Sequence, residues 1–271
     1  MRKHGSKGCT RVIWKLGGSV LEDRRSYAYF AKRICSYLTE HPEIERIYIV
    51  VSARKGRTDE LIGSISRNNG HDINLRDILS GKETSNHITG KFDNPETSAA
   101  LLRGEIESAY LLQEELRNAG MESKVFTQLD FFPIVSQGSY LYSEVDLDAS
   151  KIKFANSDLS KNNDRIVIVS GFGAVNSKNE PTLLGRNSSD YVAAILSALD
   201  EKVESVTFIK DVDGLYDSFG TPEQKLIASI HIEKLRELGF RKLIDKRVLG
   251  VISCNFHITN KGMSEGTKVV L

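Results

Sequence analysis

The alternation of short apolar runs with longer amphipathic segments constrains the fold of this chain most. Arg46–Val51 (RIYIVV) is a clear apolar run, and Glu105–Ala119 is the clearest helical segment, with Gly120 placed to end it. A strand that is apolar at almost every position is buried on both faces, as in a parallel sheet covered by helices. The sequence therefore predicts an α/β fold with a mostly parallel central sheet and helices on both faces.

The same alternation continues along the chain. The other predicted strands are Arg11–Leu16, Val125–Phe126, Arg165–Val169 and Glu204–Ile209, and the other predicted helices are Ser26–Leu38 and Ser189–Leu199. Four further segments complete the pattern: Ile232–Leu238, Leu243–Gly250, Cys254–Thr259 and Lys268–Leu271. The polar stretch Asn68–Ser98 is interpreted as an excursion or mobile loop. We expect one domain over residues 1–271, with Ser157–Asp164 separating an N-terminal lobe (about 11–160) from a C-terminal lobe (about 161–271).

Composition narrows the class of protein. Lys plus Arg number 37 and Asp plus Glu number 36, so the charge balance gives no electrostatic case for a nucleic-acid or anionic-membrane partner. No apolar run approaches the roughly 18 residues of a membrane span, and no long apolar segment follows the basic N-terminus. The cysteines Cys9, Cys35 and Cys254 fit neither a disulfide framework nor a zinc spacing. These features favour a cytoplasmic protein.

Glycines and a lysine stand at the end of the first predicted strand, in Lys15-Leu16-Gly17-Gly18-Ser19. Glycines at the carboxyl end of a parallel strand let the backbone N–H groups face phosphate oxygens, and Lys15 adds a positive charge there. Taken alone, Gly-Gly after a strand is more often a simple turn. The sequence contains no Walker A loop and no GxGxxG, so neither of those nucleotide-binding sites is predicted.

Three further strand ends or helix starts carry polar residues. The run from Ser52 to Thr58 is small and basic, Leu184–Tyr191 (LGRNSSDY) leads into a helix, and Phe208–Tyr216 (FIKDVDGLY) follows a strand. Each has a structural alternative: a solvated basic loop, a helix cap at Ser188 or Ser189, and an Asp-Gly turn. Ligands of open α/β sheets bind at the carboxyl ends of strands, so together these segments indicate a cleft.

The order and spacing of these motifs resemble a known family. Strand-KLGGS, VVSAxxxxT, GExxSAxLL, LGRxxSD and DVDGLY follow one another as in the catalytic domain of an aspartate kinase, a branch of the amino acid kinase family. The resemblance runs from about Val12 to the C-terminus and implies the three-layer fold of that family. It also implies that the N-terminal lobe binds an amino acid and the C-terminal lobe binds a nucleotide.

The resemblance implies roles on the phosphate side of the cleft. Lys15 would contact the transferring phosphoryl group, and Asp190 would orient Lys15 through a charged hydrogen bond. The phosphate cradle would consist of Gly17, Gly18 and Ser19. The residues implied to line the nucleotide site are Lys210, Asp211, Tyr216 and, as counterparts of an ATP-binding lysine, Arg241 and Lys242.

It also implies roles on the substrate side. Ser52 and Thr58 would help to hold the amino acid, and Glu105 would bind its α-amino group. Arg186 would bind a substrate carboxylate, and Ser189 would bond to the same group.

The sequence departs from the family pattern on the nucleotide side. Asn187 and Ser188 replace glycines of LGRGGSD, Lys210 replaces a threonine, and the GAKVLHP motif becomes Gly239–Asp245 (GFRKLID). Aspartate kinases also carry a pair of regulatory ACT domains beyond the catalytic domain. The sequence has no counterpart of them, so we expect no end-product inhibition through such domains.

The expected function is ATP-dependent phosphorylation of the side-chain carboxylate of L-aspartate, giving the acyl phosphate 4-phospho-L-aspartate. No residue cage for a metal is evident, so Mg²⁺ would be carried on the ATP phosphates. The resemblance favours a homodimer that acts on a small molecule, without nucleic-acid or membrane partners. Two alternatives stay open: a kinase of the same family for another amino acid or acid, and a non-catalytic regulatory subunit derived from such a kinase.

Overall fold

A computed structural model describes residues 10–68, 75–81, 91–130, 132–218, 220–238 and 243–271. In this part of the chain, eight strands form one sheet in the order β12-β14-β13-β9-β1-β2-β6-β3. Every neighbouring pair in it is parallel except β13 and β14. The strands are β1 (Thr10–Leu16), β2 (Ile44–Val51), β3 (Lys124–Phe126), β6 (Ile166–Ser170), β9 (Val203–Ile209), β12 (Ser229–His231), β13 (Phe256–Thr259) and β14 (Gly266–Val270).

Two smaller sheets accompany the central one. Over the described residues, a four-stranded sheet runs β5-β4-β7-β8, and a two-stranded sheet pairs β10 with β11. Their strands are β4 (Val135–Gly138), β5 (Ser143–Asp146), β7 (Gly173–Val175), β8 (Pro181–Leu183), β10 (Tyr216–Asp217) and β11 (Lys225–Leu226).

Helices cover both faces of the central sheet. They are α1 (Arg24–Glu40), α2 (Arg57–Asn68), α3 (Leu75–Leu79), α4 (Pro95–Asn118), α5 (Leu147–Asn156), α6 (Asp158–Lys161), α7 (Ser189–Leu199), α8 (Ile232–Leu238) and α9 (Lys246–Val251). Among these described helices, none combines the length and apolarity that crossing a membrane requires.

The core lies on the two faces of the sheet. Alternate residues of β1 point to opposite sides, so Trp14 packs in one cluster with Phe30 of α1, and Ile13 packs in the other with Ile195 of α7. All four side chains are nearly inaccessible to solvent. Burial on both faces explains the continuous apolar runs Val12–Trp14 of β1 and Ile47–Val51 of β2, and it confirms the predicted α/β class.

Several predicted elements differ from the structure at their ends. The helix predicted at Glu105–Ala119 is the second half of α4, which begins at Pro95 because the Asn94 side chain caps the Thr97 N–H. Part of the expected polar excursion Asn68–Ser98 forms α3 and the start of α4, and the rest includes residues outside the described ranges. The segment predicted at Leu243–Gly250 is helical only from Lys246, where Asp245 supplies the cap.

Candidate active site

A cleft of about 690 Å³ opens at the carboxyl ends of the parallel strands β1, β2 and β9. This is where open α/β sheets bind their ligands, because the loops that leave adjacent strands there diverge. Of the residues predicted from the sequence, twelve line this cleft: Lys15, Gly17, Gly18, Ser19, Ser52, Thr58, Glu105, Arg186, Ser189, Asp190, Lys210 and Asp211.

The turn after β1 lets the backbone approach a neighbouring loop closely. The Gly17 N–H donates to the Ile209 carbonyl oxygen at 3.0 Å, which holds the turn against the end of β9. A Cβ on Gly18 would lie 2.5 Å from the Ala53 carbonyl oxygen, so a side chain at this position would collide with backbone. Packing therefore requires glycine at position 18, and backbone atoms of the turn line this part of the cleft.

Two lysines and one aspartate form a buried charged group in the cleft. Lys15 Nζ lies 2.7 Å from Asp190 Oδ1, and Lys210 Nζ donates to Asp190 Oδ2 at 2.6 Å. The three side chains are 7%, 15% and 8% exposed for Lys15, Lys210 and Asp190. Lys15 lies on β1, Lys210 directly follows β9, and Asp190 lies in the first turn of α7. The parallel register of β1 with β9 pairs Leu16 with Ile209, which brings the two lysines to the same strand ends.

Burial and mutual attraction set the protonation of this group. Burial lowers the pKa of Lys15; Asp190 opposes the shift, and the like charge of Lys210 adds to it. For Asp190, burial alone would raise the pKa, but the two adjacent ammonium groups outweigh it and hold the pKa below its ordinary value. The carboxylate is therefore ionised at neutral pH and keeps both lysines in place.

Glu105 brings a second buried carboxyl group to the cleft. It lies on α4, is 3% exposed and accepts a hydrogen bond from the Ala53 backbone N–H. Its Oε2 atom is buried and lacks a hydrogen-bond partner among the described residues. Burial raises the pKa of Glu105 to about 8. Such a group can hold a proton near neutral pH, or ionise when a cationic ligand binds beside it.

Arg186 lies at the rim of the cleft, held by its backbone and its side chain. Its N–H donates to the Leu79 carbonyl oxygen at 2.6 Å, and its Nη2 lies 3.1 Å from Asp59 Oδ1. The Arg186 and Asp59 side chains are 36% and 39% exposed. Because Gly185 and Asn187 on either side both have positive φ, the backbone is sharply bent at this arginine. The guanidinium keeps N–H donors that can still bind a ligand carboxylate.

The two serines before Asp190 have different environments. Ser188 is fully buried, and its hydroxyl donates to the Phe172 and Gly185 carbonyl oxygens, so it makes no side-chain cap on α7. Ser189 begins α7 and lines the cleft. Gly171 packs against Ser189 so closely that a Cβ there would lie 2.6 Å from the serine Cβ. The end of β6 thus fixes the start of α7.

Three of the predicted site residues are not among the described residues that line the cleft. Tyr216 is absent from the described lining of the cleft, and its hydroxyl donates to Asp213 Oδ2 at 2.6 Å, in a turn that Asn260 also contacts. Arg241 and Lys242 lie outside the described residues.

Other residues line the cleft without having been assigned a site role from the sequence. They include Arg54, Lys55, Asp59, Phe172, Asn187, Asp245 and Lys246. Arg54 and Lys55 belong to the basic run from Ser52 to Thr58, and Asp59 directly follows it. Their place in or beside this motif was the sequence signal that could have identified them. Lys246 begins α9 and directly follows the Gly239–Asp245 segment, which was the available signal for it and for Asp245.

The covered α/β sheet thus carries a glycine turn and a buried group of two lysines and one aspartate at the carboxyl ends of its strands, where open α/β sheets bind ligands. The model of the amino acid kinase family matches residues 10–262, and the chain belongs to this family.

The relatives of the chain include aspartokinases. It is 26% identical over 89% of its length to an aspartokinase of Rickettsia bellii, covering 54% of that protein. It is 25% identical over 95% of its length to a bifunctional aspartokinase/homoserine dehydrogenase of Buchnera aphidicola, covering 36% of that protein. The fold matches that of Escherichia coli aspartokinase III in complex with aspartate and ADP, with a TM-score of 0.73 at 21% identity, over 96% of this chain and 64% of that one. The chain thus spans about a third to a half of the length of these curated relatives.

Proposed function

We propose that this protein transfers the γ-phosphoryl group of ATP to the side-chain carboxylate of L-aspartate, giving 4-phospho-L-aspartate. The observation that carries the proposal is the buried group of Lys15, Asp190 and Lys210 beside the Gly17-Gly18 turn. It concentrates positive charge and backbone donors where phosphate would bind. Glu105 and Arg186 line the same cleft and offer partners for an ammonium group and a carboxylate.

The chemistry needs positioning and charge neutralisation more than proton transfer. The attacking carboxylate is ionised at neutral pH, so no general base is required. Both reactants are anionic and repel each other, and the repulsion grows as the carboxylate oxygen approaches the phosphorus. Lys15 and the backbone N–H groups of Gly18 and Ser19 would offset it, because their donors are already in place before the reaction; the Gly17 N–H is used on the Ile209 carbonyl oxygen and holds the turn.

The substrate side supports an amino acid with two carboxylates. Arg186 would bind the α-carboxylate, with Ser189 close to the same group, and Ser52 and Thr58 would contact the rest of the molecule. Glu105 would bind the α-ammonium group, and its free Oε2 atom is the acceptor such a group needs. This leaves the side-chain carboxylate to point towards Lys15.

Mg²⁺ would assist as the partner of the ATP phosphates. Within the ranges that the structure describes, no group of three or more His, Cys, Asp or Glu residues could hold a metal ion. Oxygen atoms of the nucleotide are ligands of the kind Mg²⁺ prefers, and the bound ion would supply further neutralisation of the phosphate charge.

A homodimer and the division into an amino-acid lobe and a nucleotide lobe remain predictions. Measuring the molar mass in solution by light scattering tests the homodimer.

Trapping with hydroxylamine tests the reaction directly. Acyl phosphates react with hydroxylamine to give hydroxamates, so the protein, ATP and Mg²⁺ would be incubated with L-aspartate, D-aspartate, L-glutamate, N-acetyl-L-aspartate and succinate. We expect hydroxamate from L-aspartate and much less from succinate or N-acetyl-L-aspartate, which lack the ammonium group. If only another acid gave a hydroxamate, that acid would be the substrate, and the proposed reaction class would stand. No hydroxamate from any acid would refute the kinase and favour a non-catalytic role.

A further inference from the structure

Arg247 of α9 directly follows two residues that line the cleft, Asp245 and Lys246, but its own guanidinium binds groups within the protein. Its Nε donates to Asp245 Oδ2 at 2.9 Å, and its Nη2 contacts the same oxygen at 2.5 Å. Its Nη1 donates to the Leu184 carbonyl oxygen. The guanidinium carbon lies over the Tyr191 ring, 5.0 Å from its centre. All three nitrogens are thus engaged, which indicates a structural task at the cleft.

The Leu184 carbonyl oxygen belongs to the chain segment that carries Arg186. This segment, the 184–187 bend, has φ values of 80° at Gly185 and 62° at Asn187. A positive φ at a residue other than glycine stores backbone strain, which persists only where the surrounding contacts hold it. The position of the Arg186 side chain therefore depends on the contacts that fix the 184–187 bend.

The described contacts fix this bend at both of its ends. The Leu184 N–H donates to the Phe172 carbonyl oxygen at 3.0 Å, and the Arg186 N–H donates to the Leu79 carbonyl oxygen at 2.6 Å. Arg247 binds the carbonyl oxygen of Leu184 from the other side of the same residue. Because its donor is charged, this hydrogen bond is stronger than one between neutral groups.

Arg247 is itself held in place by Asp245. One oxygen of that carboxylate accepts the Arg247 backbone N–H at 2.9 Å, and the other accepts the guanidinium. The Arg247 and Asp245 side chains are 25% and 21% exposed, so water screens this ion pair less than one on the open surface. Since Asp245 and Arg186 both line the cleft, Arg247 joins two parts of its wall that are far apart in the sequence.

We propose that Arg247 is a positioning residue, which holds the 184–187 bend so that the Arg186 guanidinium is in place to bind the substrate carboxylate. This proposal rests on the proposed function, in which Arg186 binds the α-carboxylate of the substrate. Arg247 acts through the backbone of the bend and does not touch the substrate. Without Arg247, the substrate must order Arg186 as it binds, and its affinity falls.

The test compares Arg247→Met with Arg236→Met. Arg236 of α8 is a matched control, because it also pairs with a carboxylate, that of Glu233, and donates to a backbone carbonyl oxygen, that of Leu249. Arg236, Glu233 and Leu249 are not among the described residues that line the cleft. Thermal unfolding is measured for both variants. Arg247→Lys, which keeps a positive charge beside Asp245, is the second variant should the methionine variant be unstable.

The first readout is steady-state kinetics with L-aspartate. In Arg247→Met, KM for L-aspartate should rise at least about tenfold, because a binding group displaced by about 1 Å loses much of its effect. The kcat value should stay within about threefold, since the ion pair of Lys15 with Asp190 uses no residue of the bend. Arg236→Met should leave both constants nearly unchanged. Arg247→Lys should lie between wild type and Arg247→Met, because one ammonium group lacks the planar fork of the guanidinium.

The second readout is a double-mutant cycle, which shows whether Arg247 acts through Arg186. The cycle combines Arg247→Met with Arg186→Ala, and kcat/KM for L-aspartate is measured in the four proteins. If Arg247 acts by positioning Arg186, Arg247→Met should lower kcat/KM by less than about threefold once Arg186 is replaced. A merely structural role would lower kcat/KM by the same factor in both backgrounds.

The third readout is amide hydrogen exchange without any substrate. The N–H groups of Leu184 and Arg186 are both bonded to carbonyl oxygens, so their exchange reports on opening of the bend. In Arg247→Met, exchange at these two amides should be at least about tenfold faster than in wild type. Arg236→Met should leave it unchanged.

The outcomes separate this proposal from the proposed function. Unchanged exchange at Leu184 and Arg186, or additive effects in the cycle, would overturn the positioning role. An increase of KM for ATP alone would also overturn it, because Arg247 would then act on the nucleotide. Wild-type protein that makes no acyl phosphate, with faster exchange in Arg247→Met, would overturn the proposed reaction while supporting Arg247 as the residue that holds the bend.

Discussion

Replacing Glu105 with glutamine tests whether its carboxylate binds the ammonium group of the substrate. Burial raises the pKa of this group to about 8, so in the free protein it is mostly protonated at neutral pH. An ammonium group binds the ionised form. Below about pH 8, substrate binding must therefore be coupled to the release of a proton from Glu105.

The size of the effect follows from the ionised fraction. A group with a pKa of about 8 is roughly 3% ionised at about pH 6.5 and about half ionised at about pH 8. Binding that requires the ionised form is weakened by that fraction, so KM for L-aspartate should fall roughly 15-fold between these two pH values. KM for ATP should not follow this profile, because Glu105 lies on the substrate side of the cleft.

The assay measures both KM values across this pH range in wild type, Glu105→Gln and Glu107→Gln. Glu107 is the matched control, because it lies on the same helix with its side chain 46% exposed and paired with Arg57. In Glu105→Gln, KM for aspartate should be high and independent of pH. A wild-type KM that is flat, or a slope that persists in Glu105→Gln, would refute the assignment.

The same pKa shift predicts how stability depends on pH. The pKa of Glu105 is higher in the folded protein than its ordinary value of 4.5, so folding favours the protonated form. This contribution is complete below about pH 4.5 and is lost as the pH rises through about 8. Between these limits, wild type should lose on the order of a few kcal/mol of unfolding free energy that Glu105→Gln retains. If the unfolding free energies of wild type and Glu105→Gln changed in parallel with pH, the raised pKa of Glu105 would be contradicted.

Three further substitutions test the rest of the cleft. Lys15→Met should lower kcat at least about 100-fold without loss of folding, since Lys210 still neutralises Asp190; near-normal kcat would remove Lys15 from the mechanism. Arg186→Lys should lower kcat/KM for aspartate by roughly thirty-fold to several hundred-fold, about 2–4 kcal/mol, and leave KM for ATP unchanged, whereas an equal change in Arg76→Lys would point to their shared partner Asp59 instead. Gly18→Ala should weaken ATP binding, because its Cβ would lie 2.5 Å from a backbone oxygen, while Gly250→Ala, with open space around it, should not; equal affinities would show that the turn is not part of the phosphate site.

The sequence predicts the sheet well because both of its faces are buried. Strands such as β2 contain a continuous apolar run, Ile47–Val51, whose short length favours a buried strand over a helix. The ends of α4 were harder to predict, since its start depends on a single cap at Asn94 within a polar stretch. Local composition marks a cap weakly when no apolar pattern precedes it.

The cleft residues that belong to motifs after strands could be predicted from the sequence. The pairing of cleft residues through tertiary contacts could not. Lys15, Gly17 and Asp190 follow a recognisable order along the chain, and the structure brings them together. The ion pair of Arg186 with Asp59 joins residues 127 positions apart, and the sequence gives no sign of it. The contact of Lys210 with Asp190 is of the same kind. Its chemistry was visible in the sequence, but its partner was not.

The proposed function requires a substrate carboxylate to attack the γ-phosphorus of ATP. L-Aspartate labelled with ¹⁸O in its side-chain carboxylate reports on the bond that forms, with the product observed by ³¹P NMR in the presence of Mg²⁺. We predict an acyl phosphate resonance, formed in step with ADP, that shows the isotope shift of a bridging ¹⁸O atom. ADP formed with unlabelled inorganic phosphate alone, or no turnover of ATP with aspartate, would contradict this reaction.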